Sequence, residues 1–156
     1  MDQLCAAAQG IYAEAARIAE HVEHAAAFGI MFEDVLDLVN QEREKAGLQP
    51  LQLDEELNGY AERRAQEVTR YFSHQRPDGS DFNTLVPDEQ ARKYACLGEN
   101  LQRGANSPVT VVANWMLSPT HKANILYPDY NVMGLAYVYQ ADDDSHHYWV
   151  QWFGKR

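Results

Sequence analysis

Apolar positions recur at helical spacing through the first half of the chain. Ile11, Ala15, Ile18, Val22 and Ala25 give an alanine-rich stretch one modest apolar face, so the pattern predicts a helix over 2–28, with Gly29 as its break. A second helix is predicted from about Phe32 to Ala46, with Val35, Leu38 and Val39 as its stripe. Gly47, Leu48 and Pro50 supply its stop signals. A third opens at Asp54, an N-cap type, and carries Glu55 and Glu56 where the helix dipole favours anions. Its stripe reads Leu57, Ala61, Ala65, Val68 and Phe72, and it ends before the Pro77-Asp78-Gly79-Ser80 turn.

Residues 81–106 read as irregular, with a short helix at Asp88 to Tyr94. Ser107-Pro108 opens a further helix through Trp115, and Ser118-Pro119 repeats the device for a short helix carrying His121. The period then changes. Val132 to Tyr139 and His147 to Phe153 are rich in β-branched and aromatic residues. The acidic stretch Ala141-Asp142-Asp143-Asp144-Ser145 between them makes this a hairpin. Helices first and a hairpin last predict an α+β fold with helices packed on an antiparallel sheet.

At 156 residues the chain suits one domain with its own core. The net charge of −10 repels phosphate backbones, which argues against nucleic acid as a partner, and it disfavours anionic membrane surfaces. No apolar run approaches the roughly 18 residues of a transmembrane helix. No signal peptide is read in the chain given, because Glu14, Arg17, Glu20, His21 and Glu23 interrupt residues 1–28. Cys5 and Cys96 lack CxxC spacing. A single bridge and two buried thiols both stay open.

Three residues sit beside breakers or caps instead of on a periodic apolar face. His74 follows a helix end and precedes a turn, which suits an anchored, near-surface imidazole. Glu99 lies in Gly98-Glu99-Asn100; read alone it is a solvated residue of a loop lock. His121 is the third residue of the helix that Ser118 is expected to cap, and the dipole there disfavours the imidazolium. Each taken alone reads as structural. Taken together, two histidines and a carboxylate are a plausible divalent-cation set. His21 and His24 share a helical face with no third ligand indicated. His146 and His147 belong to a polar hairpin loop. No nucleophile elbow, phosphate loop, HExxH or EF-hand loop is present.

Several fragments together resemble the CAP superfamily of cysteine-rich secretory, antigen and pathogenesis-related proteins, in its bacterial SCP-like form. They are Leu38-Val39-Asn40-Gln41-Glu42-Arg43 with Gly47-Leu48-Gln49-Pro50-Leu51, Phe72-Ser73-His74 with Pro77-Asp78-Gly79, and Gly98-Glu99-Asn100-Leu101. The series continues with Trp115 through Leu126, Gly134, and Tyr148-Trp149-Val150-Gln151-Trp152-Phe153. The match runs in order from about Phe32 to Phe153. It implies a CAP/SCP-like domain over 32–156 preceded by a helical extension over 1–31. The implied fold is an α-β-α sandwich with a central antiparallel sheet and a large cleft.

In animal members two histidines and two glutamates line that cleft and can hold zinc. By resemblance the first histidine is His74, one glutamate is Glu99 and the second histidine is His121. The second glutamate's place is held by Ser118, and Asn124 joins Glu99 and Ser118 as cleft-lining. The resemblance implies a non-enzymatic, extracellular or cell-surface ligand-binding domain, with a weakly held divalent cation, zinc by type, on His74 and His121. A small apolar molecule, a lipid or a protein is the implied partner. A metal-assisted hydrolase using His74, Glu99 and His121 is the first alternative, and an interaction domain working through the N-terminal helix is the second.

Overall fold

The computed structural model describes Gly29 and residues 31–156. The expected helix over 2–28, with Cys5, His21 and His24, lies outside the described residues. Residues Phe32–Arg156 form one compact unit.

Within that unit helix α1 covers residues 32–45 and buries Val35 and Val39 completely. It stops as the sequence predicts. Gly47 takes φ +73°, and the amides of Gly47 and Leu48 return to the carbonyls of Glu44 and Arg43 at 2.9 Å each. These two bonds satisfy carbonyls that the helix end would otherwise leave open. The Asn40 amide pairs with both backbone groups of Leu51, at 2.8 and 3.0 Å, and so guides the chain into strand β1 (Gln52–Leu53).

Arg43 is fully buried with no carboxylate beside it. Its guanidinium donates to four carbonyls, those of Gln49, Ile125, Tyr127 and Tyr130, and burial lowers its pKa. The cation sits where a helix C-terminus turns its partial negative charge inward. It thereby joins α1 to the end of helix α5 (Pro119–Ile125).

Helix α2 (Glu55–Val68) begins at Asp54, whose carboxylate accepts the amides of Glu56 and Leu57 at 3.0 Å each. Its buried face is Leu57, Tyr60, Ala61, Ala65 and Val68. It lies on strands β3 (Val132–Tyr139) and β4 (His147–Gly154), the two arms of the expected hairpin. The approach is close because Gly134 lacks a side chain: a Cβ there would stand 2.3 Å from the Leu57 carbonyl carbon. Phe72, expected on the helix stripe, lies past the helix end. It packs on Tyr148 with the Arg103 guanidinium over its ring at 4.9 Å.

The stretch expected to be irregular holds a 3₁₀ turn (Phe82–Leu85), a one-turn helix α3 (Asp88–Ala91) and an unpredicted strand, β2 (Leu97–Arg103). The strand escapes the sequence pattern because Leu-Gly-Glu-Asn-Leu-Gln-Arg has no β-branched residue and buries polar side chains. Its register on β4 nevertheless runs unbroken from Leu97↔Gly154 to Arg103↔Tyr148. The sheet order is β1-β3-β4-β2. The three long strands are antiparallel as expected, but β1 pairs parallel to β3, so the sheet is mixed.

Alternation along β4 divides the core. Tyr148, Val150 and Trp152 face α2, while Trp149, Gln151 and Phe153 face the other way and are equally buried. Helix α4 (Pro108–Leu117) and α5 lie with α1 on that second face. Tyr130 stacks on Phe153 at 5.2 Å there, and Asn100 bonds both Gln151 and the His121 carbonyl at 3.1 Å. Helices thus cover both faces of the sheet, as an α-β-α sandwich requires.

Candidate functional site

Glu99 projects from β2 toward α2, directly across from Trp152 in the β2–β4 register. The indole Nε1 of Trp152 donates to its Oε2 at 2.9 Å. Arg64 Nε donates to the same oxygen at 2.9 Å, and Arg64 Nη2 reaches Oε1 at 3.5 Å. The remaining contact of Oε1 is His74 Nδ1 at 2.9 Å. The residue is only 4% exposed, so the expectation of a solvated loop glutamate is corrected: Glu99 is a buried strand residue inside a closed set of donors.

A carboxylate can only accept, so in a neutral His74 the proton sits on Nδ1 and Nε2 keeps the lone pair. The His74 side chain is 59% exposed, and no hydrogen bond engages Nε2 among the described residues. The expectation of an anchored, near-surface imidazole matches this arrangement.

The segment bearing His74 is gripped from below. Arg64 Nη2 donates to the carbonyls of Ser73 and Gln75, and Nη1 to Glu67 Oε2 at 3.1 Å. Glu67 in turn takes two bonds from Arg76, at 2.8 and 3.0 Å, which raise the Arg76 pKa. The predicted Pro77-Asp78-Gly79 turn follows, closed by Gly79 N to Arg76 O at 2.9 Å and Arg76 N to Ser80 O at 2.8 Å.

His121 reaches the same end of β2 from the opposite layer. An amide network lays α5 against the strand: Asn124 donates to Glu99 O at 3.1 Å and Asn100 Oδ1 at 2.9 Å, while Asn100 donates to His121 O. Asn124 is therefore a tether between α5 and β2. The His121 pKa is lowered, first by burial and then by the nearby His74 charge. The expected direction holds, with burial as the leading cause. Its Nδ1 is buried and has no hydrogen-bond partner among the described residues. Ser118 occupies the N-cap position of α5, yet its hydroxyl meets Thr120 Oγ1 at 3.2 Å and caps no backbone amide.

The fold thus bonds His74 to Glu99 and brings His121 within electrostatic reach of His74. Among the described residues, no three side chains of His, Cys, Asp or Glu come together as a metal-ligand group. Glu99 cannot complete one, because both its oxygens are committed. Imidazole nitrogens are the donor type that zinc accepts, and His121 Nδ1 is a buried ring nitrogen that no hydrogen bond engages among the described residues. Hollows of about 350 and 550 Å³ lie elsewhere, along α1 and at the β1–α2 junction, and none of the three candidates lines either.

Sequence reasoning does not single out Arg64 or Trp152. Arg64 does leave a signal, a charged residue on the buried stripe between Ala61 and Val68. Of the hairpin histidines, His146 lies in the loop and bonds Gln140 O at 3.0 Å, whereas His147 is the first residue of β4 and meets Tyr137 Oη at 2.7 Å. Cys96 has no disulfide partner among the described residues, and Cys5 lies outside them.

A model of the cysteine-rich secretory protein family, CAP, matches residues 36–153. The uncharacterized protein YkwD of Bacillus subtilis strain 168 is 38% identical over 122 residues, which are 76% of this chain and 45% of that protein. This chain therefore spans less than half the length of that relative. Among solved structures, an outer surface protein of Borrelia burgdorferi superposes with a TM-score of 0.69 at 24% identity, covering 80% of this chain and 93% of that one. An extracellular protein containing an SCP domain from Bacillus anthracis str. Ames gives 0.64 at 20% identity, covering 80% of this chain and 40% of that one. At these identities the structural likeness is one of fold.

Proposed function

The chain belongs to the cysteine-rich secretory protein (CAP) family, and from that premise we propose that it is a non-enzymatic, extracellular or cell-surface ligand-binding domain whose His74–His121 site holds a divalent cation weakly. The observation that carries the reading is the state of Glu99. Its oxygens are consumed by Arg64, Trp152 and His74, and the consequence is a His74 Nε2 turned outward. A carboxylate that orients a metal-facing imidazole through its other nitrogen is a recurrent outer-shell arrangement. His121, held toward its neutral form by burial, keeps a lone pair for the same purpose.

Two imidazoles with no third protein ligand make a weak site. When bound, such a cation supplies a positive charge that a ligand's carbonyl or carboxylate can meet. The same commitment of Glu99 removes it as the general base of the hydrolase reading and leaves that role to His74 alone. Among the described residues, no serine, threonine or cysteine is hydrogen-bonded to His74 or His121.

Phe72 and Leu117, 38% and 83% exposed, stand just before His74 and His121 in the chain and favour a small apolar molecule, a lipid or an apolar protein surface as ligand. The extracellular placing follows the Bacillus anthracis relative and the outer surface protein of Borrelia. No helix among the described residues is long and apolar enough to cross a membrane.

The test is a zinc titration of chelator-stripped protein, followed by NMR of the histidine rings. The expected result is a concerted shift at His74 and His121, lost in His74→Ala and in His121→Ala. Rings that stay unmoved at saturating zinc would remove the cation site. Turnover of a peptide or ester that His121→Ala abolishes would replace binding with catalysis.

A further inference from the structure

We infer that Arg64 is a positioning residue for this site: acting through Glu99, it holds His74 in the Nδ1–H tautomer with Nε2 presented outward. The inference rests on the proposed reading only in taking Nε2 as the working face; the tautomer itself is a property of the protein without any ligand.

Four contacts carry it. Arg64 is fully buried, on the face of α2 that meets the sheet. Its Nε fixes Glu99 Oε2 at 2.9 Å, the oxygen opposite the one His74 uses. Its Nη2 takes the carbonyls of Ser73 and Gln75, the two residues that flank His74. Its Nη1 is braced by Glu67 at 3.1 Å. One guanidinium therefore sets both the acceptor that meets Nδ1 and the backbone from which the imidazole projects. The planar fork of arginine makes these contacts at once, whereas a lysine ammonium is a single point of charge.

Stability alone does not account for such a group. Taking two charges out of water costs about what their attraction returns, and apolar replacements of similar volume are often as stable or more so. What an apolar pair cannot supply is a carboxylate aimed at an imidazole. Neutral histidine in water prefers the proton on Nε2, which would leave the lone pair facing Glu99, so the Nδ1–H form has to be enforced by its surroundings.

The experiment is long-range proton–nitrogen NMR of the histidine rings in ¹⁵N-labelled, chelator-stripped protein, at one fixed pH above the ordinary histidine range. The parent is expected to show a protonated Nδ1 and a pyridine-like Nε2 at His74. In Arg64→Lys the pyridine-like Nε2 signal should be lost, with His74 moving to the Nε2–H form or a mixture, while the amide signals of β3 and β4 stay in place. Glu67→Ala, which removes the brace but not the fork, should move His74 the same way to a smaller extent.

A parent-like tautomer in folded Arg64→Lys overturns the inference. Should that variant fail to fold, a parent-like tautomer in Glu67→Ala overturns it instead. A tautomer that follows Arg64 together with rings that ignore zinc would leave the positioning role standing and remove the cation site. The reverse pair of results would do the opposite.

Discussion

Glu99 Oε1 and His74 Nδ1 stand 2.9 Å apart, joining a buried strand to an exposed imidazole. The partners differ sharply in burial, 1% against 59% of the side chain exposed, so the bond carries order from the core outward. Removing its inner end should therefore be felt as instability first. Glu99→Ala strips the fully buried Arg64 of its closest anion and leaves it only Glu67. Breaking one side of a buried pair costs about 3–5 kcal/mol. Urea unfolding should register a loss of that size. A variant within about 1 kcal/mol of the parent, the range of an exposed pair, would mean that Arg64 finds water on its own.

His121 predicts a pH dependence with a definite sign. Its pKa lies below the ordinary 6.5 because burial, and then the charge of His74, disfavours the imidazolium. Below that ordinary value the unfolded chain binds a proton that the folded chain refuses. The stability due to neutral His121 is full above the unfolded pKa. It is lost as pH falls toward the lowered folded value, and levels off beneath it. His121→Gln should remove that part of the slope. The check is the difference in urea midpoint between parent and variant across the range, in chelator; parallel profiles would show that His121 titrates as it does in water.

Gly134 marks the closest approach of α2 to the sheet. A methyl there would stand 2.3 Å from the carbonyl carbon of Leu57 and 2.6 Å from the amide of Asn58. Both are backbone, and α2 is pinned at this point because Asn58 Oδ1 accepts the Leu135 amide at 2.8 Å. Overpacking of this kind costs typically about 1–3 kcal/mol. Gly134→Ala should reach the upper end, about 3 kcal/mol, or fail to fold. A thermal melt that matches the parent would show that α2 can lift off the sheet freely.

How much of this was legible in the chain depends on how local the cause is. Helix ends were readable because their causes lie within a few residues: Asp54 caps α2, Ser107 caps α4 by accepting the Thr110 amide, and Gly47 turns the end of α1. The hairpin was readable from its period and its acidic loop. Strand β2 was not, because its pairing depends on β4, and its polar residues are stabilised by partners that are remote in sequence. The hydrogen-bond partners of the buried Glu99 include Arg64 and Trp152, which lie 35 and 53 residues away. The family pattern drew His74, Glu99 and His121 together, and it is silent on which of them would face solvent.

Ser118 allows the proposed weak cation site to be tested by gain instead of loss. It stands where animal relatives are implied to carry a second glutamate, and it is only half-buried at the start of α5. Its hydroxyl caps no backbone amide, so little is lost when it is replaced, and a helix start tolerates an anion. Glu99 cannot serve as the missing ligand while Arg64 and Trp152 hold it. A carboxylate in Ser118→Glu can, three residues before His121. A third ligand should tighten zinc by roughly tenfold or more, about 1.4 kcal/mol. Calorimetric titration of chelator-stripped protein measures this directly. His74→Ala in the Ser118→Glu background should cancel the gain, and an affinity that the added carboxylate leaves unchanged would place the cation away from His121.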